Sequence, residues 1–173
     1  MGCRHKVPCV GYCFSETRTV LTPEYEELRS SLAAAGRGEE FGRLVARRRR
    51  AGAEVDREVR RPLFAFLGDT DAGVFEENPW LFEYPVIVTE CTYLGDEHLD
   101  RAERIGHTVW SRLRPVVRAH PGNLFVLTHF SLRHSDREIL DFFDRELADA
   151  GLGNVVVWAH PDSRMPEQHQ RGG

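Results

Sequence analysis

Four short apolar runs, at residues 63–67, 86–89, 124–128 and 155–159, constrain this chain more than any other feature. Each is four or five residues long, rich in Val, Ile, Leu or Phe, and lacks polar alternation. A strand with one wet face alternates, so these runs read as strands covered on both faces. Helical patterns separate them. Residues 135–150 place Ile139, Leu140, Phe143 and Leu147 on one stripe, with Ser135 as N-cap, Glu138 three positions on and Gly151 past the end. Residues 108–120 form another helix, bent or interrupted by Pro115. Strands alternating with helices imply a layered α/β arrangement with at least partly parallel strands.

Upstream, residues 9–16 read as a strand, and Thr22-Pro23-Glu24 opens a helix towards Gly36. A second helix over 39–51 carries Arg47, Arg48, Arg49 and Arg50. From 37 to 61 nine arginines stand against five carboxylates, whereas from 62 to 110 ten carboxylates stand against two arginines. A basic segment beside an acidic one suits a polyanion contact next to a cation-collecting site; a solvated basic helix is the blander account. The length of 173 residues, 41% hydrophobic, fits one compact domain. No run approaches the roughly 20 apolar residues that span a bilayer, and no secretion signal is evident, so a cytoplasmic protein without membrane contact is expected. The four cysteines form no CxxC pair and read as reduced thiols. Trp80, Trp110 and Trp158 read as packing aromatics, and residues 162–173 as a polar tail.

In α/β sheets the ligand crevice lies beyond the carboxyl ends of the strands. The first run leads into Asp69, the second into Glu90 and the third into His129. Each has a plain explanation singly: Asp69 caps a turn, Glu90 pairs with an arginine, His129 is a satisfied core histidine. Together they put two acids and an imidazole on one edge. His107, between Gly106 and Thr108, and His5, ahead of the first strand, add two more imidazoles. Carboxylate plus imidazole is a ligand mixture that zinc or manganese accepts.

The motifs HKVPCVGY (5–12), FLGDT (66–70), VTECTYLGDE (88–97), RAERIGHT (101–108) and FVLTHFSLRH (125–134) resemble the C-terminal half of ribonuclease Z. That family is the tRNA 3′-processing endonuclease of the metallo-β-lactamase fold superfamily. The resemblance implies that His5 ligates one metal, Asp69 bridges two, and His129 ligates the second. It implies that Glu90 orients His107, and that His107 protonates the leaving 3′ oxygen or stabilises charge at the phosphate. Two Zn2+ ions, or Mn2+, about 3.5–4 Å apart would activate water for attack on the phosphodiester of a tRNA precursor. Arg47 to Arg50 lie where the family carries its RNA-binding arm. The domain reading is therefore the C-terminal part of a metallo-β-lactamase-like domain over 1–161, with a helical basic insertion at about 18–61.

The family's H-x-H-x-D-H motif is absent from the eight histidines of this chain. The expected fold is thus α/β, the second half of an αββα sandwich: one sheet with flanking helices, the first half missing. A complementing N-terminal half or a homodimer would complete it, with the isolated chain inactive. Two alternatives stand beside this reading: a catalytically silent binding or assembly module of the same fold, and a hydrolase of another phosphodiester.

Overall fold

The computed structural model describes residues 1–159; the tail expected over 162–173 lies outside the described residues. The chain divides into two compact units, one of Met1–Phe14 with the chain from Pro62 onward, the other Ser15–Arg61. In order, the elements are β1 (Tyr12–Leu21), α1 (Pro23–Ala34), α2 (Gly38–Arg50), β2 (Asp56–Phe66), α3 (Val74–Glu77), β3 (Val86–Glu90), α4 (Leu99–Ile105), α5 (Trp110–Ala119), β4 (Leu124–Thr128), α6 (Asp136–Ala150) and β5 (Val155–Val157). The architecture is the mixed α/β one that the alternating pattern implies.

The five strands form one sheet in the order β1-β2-β3-β4-β5. Strands β2 to β5 are parallel, with Phe66 opposite Val88, Glu90 opposite Thr128, and Leu127 opposite Val157. This register aligns the carboxyl ends of β2, β3 and β4 along one edge. The other edge is held by amides. Asn154 donates to the carbonyls of Val117, His120 and Asn123, and Asn123 donates to those of Phe82 and Tyr84.

One sheet face carries Ala65, Ile87, Phe125, Leu127, Val155 and Val157, all buried, against Trp110, Leu113, Val117, Ile139 and Phe143. Burying each of the larger side chains contributes roughly 1.5–3 kcal/mol. The opposite face is only partly covered. Side chains alternate along a strand, so Phe64, Phe66, Val86, Val88 and Val126 share it. Phe64 stacks on Phe14 with ring centroids 4.4 Å apart. Phe66 and Phe14 nevertheless remain 44% and 46% exposed.

Several boundaries differ from the sequence expectation. Strand β2 begins at Asp56 rather than 63, and β1 runs over Tyr12–Leu21 rather than 9–16. Both extensions are mostly solvent-facing, so apolar runs do not mark them. Pro115 is exposed, and α5 runs through it. Of the tryptophans only Trp110 is core, whereas Trp80 and Trp158 are exposed.

The unit Ser15–Arg61 has its own small core of Tyr25, Val45 and Val55, flanked by Leu28, Phe41 and Leu44. The N–H of Thr22 donates to the carbonyl of Val55, closing the ends of the two strands around α1 and α2. Arg47, Arg48, Arg49 and Arg50 form the exposed last turn of α2, and Arg49 makes a paired contact with Asp56 at 2.9 and 2.8 Å. Basic residues there also complement the helix dipole. Among the described residues, no helix is long and apolar enough to cross a membrane.

Candidate metal and acid–base site

The last residue of β3, Glu90, is 1% exposed. A buried carboxylate is tolerated only when its oxygens are filled with donors, and Glu90 has five. The N–H groups of Thr70 (2.7 Å), Thr108 (3.0 Å) and Thr92 (3.3 Å) donate to it, as does the Thr92 hydroxyl at 2.5 Å. The fifth is His107 Nδ1, 2.7 Å from Oε1. Three loops thereby converge on one side chain, following β2, β3 and α4.

His107 is held from both directions. Tyr93 forms a parallel bridge to Val109, its N–H donating to Thr108 O at 3.1 Å. The hydrogen bond that His107 Nδ1–H donates to Glu90 raises the His107 pKa above its ordinary value; burial opposes this, and the charges of Glu90 and Asp69 reinforce it.

His129 follows β4 with φ +57°, the only positive φ outside glycine among the described residues. Non-glycine residues adopt this region at a cost and concentrate there at functional positions. The turn aims the ring back across the strand ends. Its Nδ1 lies 3.1 Å from the Thr92 hydroxyl, and its Nε2 lies 3.6 Å from Asp69 Oδ1. The Thr92 hydroxyl already donates to Glu90, so it accepts from His129 Nδ1–H.

His5 arrives from the N-terminal segment. Arg4 pins that segment to the loop after β2: its N–H donates to Thr70 Oγ1, its guanidinium pairs with Asp71 at 2.8 Å and with Glu77, and its carbonyl accepts from Asp71 N–H. On the other side Lys6 N–H donates to Ile105 O. Gly106, at φ +78°, allows the approach, since a Cβ there would meet Arg4 O at 2.5 Å and His5 Cα at 2.6 Å. The rings of His5 and His107 lie 4.8 Å apart edge to face, and those of His107 and His129 5.5 Å apart, stacked.

Among the described residues the ligand atoms form two groups, each with all atoms within 4.8 Å of one another: His5, Asp69 and His107, and Glu90, His107 and His129. The three residues expected to hold metal do not form one group; Asp69 links His5 to His129. Imidazole and carboxylate at these separations fit a divalent ion of the zinc or manganese kind. Thiol chemistry is excluded beside Glu90, because burial, aided by the Glu90 charge, pushes the Cys91 thiol far above its ordinary value. A cleft of about 400 Å3 opens beside His107, lined also by Arg4, Asp71, Glu103, Val109 and Arg112. Arg47 to Arg50 belong to the other unit and are not among these residues.

Thr92, Arg4 and Gly106 were missed by reasoning from sequence. Thr92 carries a weak signal, a hydroxyl two residues past a strand-end acid; Arg4 and Gly106 act through partners far away in the chain.

Parallel strands ending in a carboxylate–histidine cluster make this an α/β protein whose strand ends could hold a metal ion. No protein-family model matches the chain. Sequence relatives narrow the class. Ribonuclease Z of Streptomyces avermitilis is 32% identical over 167 residues, covering 94% of this chain and 52% of the relative. The chloroplastic tRNase Z TRZ2 of Arabidopsis thaliana is 26% identical over 138 residues, covering 78% of this chain and 36% of the relative. The chain is similar to these ribonuclease Z proteins, and spans about half the length of one curated relative and about a third of the other. Unliganded yeast PDE1 superposes with a TM-score of 0.38 at 16% identity, over 61% of this chain and 38% of that one, too loosely to carry a fold argument.

Proposed function

We propose that this chain supplies part of a metal-dependent phosphodiesterase site that trims the 3′ end of tRNA precursors in the cytoplasm. The observation that carries the reading is the meeting of His5, Asp69, Glu90, His107 and His129 at one sheet edge. His5, Asp69 and His129 would hold the metal, with Asp69 between the two histidines. When bound, divalent zinc or manganese would supply Lewis-acid stabilisation of charge developing on the phosphate. Glu90 fixes His107 through Nδ1, leaving the other ring nitrogen outside that bond. An imidazole whose proton affinity is raised by its carboxylate partner is suited to give a proton to the departing 3′ oxygen. Thr92 orients His129 through Nδ1. Buried Glu90 keeps this geometry because three of its five donors are backbone N–H groups.

Three protein ligands over two ions leave each underheld, since catalytic zinc takes about three ligands by itself. Further ligands would come from a complementing N-terminal segment bearing H-x-H-x-D-H, or from a second copy, packed on the sheet face where Phe14 and Phe66 stay exposed. Arg47, Arg48 and Arg50 would meet the RNA backbone.

The test is release of the 3′ trailer from a labelled tRNA precursor in the presence of zinc. The chain is assayed alone and mixed with a ribonuclease Z segment that carries the missing motif. Cleavage is expected in the mixture only, falling at least 100-fold with His107→Ala. RNA bound but uncut in the mixture would identify a silent binding module, and cleavage unchanged by His107→Ala would remove the acid assignment.

A further inference from the structure

We propose that Cys3 and Cys9 are a reversible disulfide site that closes the loop carrying His5. The N-terminus folds back on itself as a short antiparallel hairpin. The Met1 ammonium donates to Gly11 O at 3.0 Å, Gly11 N–H donates to Met1 O at 2.9 Å, and Gly2 bridges Val10. Cys3 N–H then donates to Cys9 O at 3.0 Å. This ladder sets residue 3 opposite residue 9, at the neck of a loop comprising Arg4, His5, Lys6, Val7 and Pro8.

Hydrogen-bonded antiparallel partners have Cα atoms about 5.5 Å apart, inside the window of about 4.4–6.8 Å that a disulfide accepts. The two side chains share a face, and the Cys3 thiol, pushed up chiefly by burial, is raised further by the Cys9 thiol beside it. Gly68, one residue before Asp69, completes the seat. A Cβ there would stand 2.4 Å from Cys9 Sγ, so only glycine leaves room for the sulfur pair. Both cysteines are half-buried, within reach of a small oxidant, whereas Cys91 is buried.

The ladder holds facing Cβ atoms about 4.5–5.5 Å apart, and a disulfide prefers about 3.5–4.5 Å. Closing the bond draws the neck together by about 1 Å, and the strain leaves it easily reduced. That property marks a redox switch rather than a permanent staple. The oxidant is a low-molecular-weight disulfide such as oxidised glutathione. One protein thiolate attacks it, forming a mixed disulfide and releasing one glutathione thiolate. The second protein thiolate displaces the other glutathione. Two thiols and one disulfide become one disulfide and two thiols, with two electrons passing to glutathione and the two thiol protons to its released thiolates. The inference does not depend on the metal reading, because the bond is detected directly.

The test treats the full chain with oxidised glutathione, blocks remaining thiols and digests with trypsin, which cuts after Arg4 and Lys6. A linked pair of peptides, 1–4 with 7–18, is expected, released by dithiothreitol and lighter than the separate peptides by two hydrogens. Because Cys13 lies in the second peptide, two variants assign the bond. Cys13→Ser should keep the link and Cys9→Ser should abolish it. A link that survives Cys9→Ser, separate glutathione adducts on Cys3 and Cys9, unreacted thiols, or a link that dithiothreitol does not open would each overturn the proposal.

Discussion

Five donors meet the Glu90 carboxylate, and three of them are backbone N–H groups that cannot turn away. Glu90→Gln sets an amide NH2 against at least one of those donors and removes the negative charge facing His107. The unfolding free energy should fall by about 3 kcal/mol, read from the urea midpoint; an unshifted midpoint would mean that the network is not closed. Gly106→Ala is the complementary probe. Its Cβ would enter the space of Arg4 O and His5 Cα at a positive φ, so a loss of about 2 kcal/mol or more is expected, together with faster hydrogen exchange at the His5 loop. These two residues show where sequence reading ends. Glu90 and His129 were legible because a polar residue closing a buried strand has few uses. Gly106 and Thr92 were not, since their work is to meet Arg4, His5 and His129, at separations that leave no periodic trace.

Helix α6 was the most legible element, since its cap is local chemistry. Ser135 Oγ accepts from Glu138 N–H, and Glu138 accepts from Ser135 N–H at 2.8 Å, a complete capping box, with Gly151 at φ +63° past the end. Ser135→Ala should cost about 1 kcal/mol. The bonds from Ser135 hold the Glu138 carboxyl below its ordinary range. A depressed folded value means the contribution is complete above the unfolded carboxylate range and is lost as pH falls through the folded one. Melting curves of the parent and Glu138→Gln should therefore differ at neutral pH and converge in strong acid. Strand β2 was read worst, its polar first half Asp56–Arg61 giving no apolar run because little of it is buried. On α2, Arg49 is engaged by Asp56, which leaves Arg47, Arg48 and Arg50 for RNA. Replacing these three with Gln should flatten the slope of log K against log salt for tRNA by about 2; an unchanged slope would return the arginines to a solvated helix end.

Across the molecule, the site residues come from five places: the N-terminal hairpin (His5), the loop after β2 (Asp69), the loop before α5 (His107) and the ends of β3 (Glu90) and β4 (His129). The strand-end members follow from topology, because parallel strands in register align their carboxyl ends. His5 does not; it reaches the site through Arg4, Lys6 and Gly106. A metal held by His5, Asp69 and His129 would therefore tie the N-terminus to two strand ends, adding to the hydrogen bonds, the ion-paired Arg4 and the packing of Met1 that already hold it. A ligand that binds only the folded chain stabilises it by mass action, about 2.7 kcal/mol at a hundredfold excess over its dissociation constant. Zinc should raise the melting temperature by several degrees and slow amide exchange at residues 3–8 and 69–73 together. Asp69→Ala should remove both effects, whereas His5→Ala should remove the protection of residues 3–8 first. Protection confined to one segment, or a melting shift that survives Asp69→Ala, would mean that the ion binds elsewhere and that the aspartate is not the link between the two histidines.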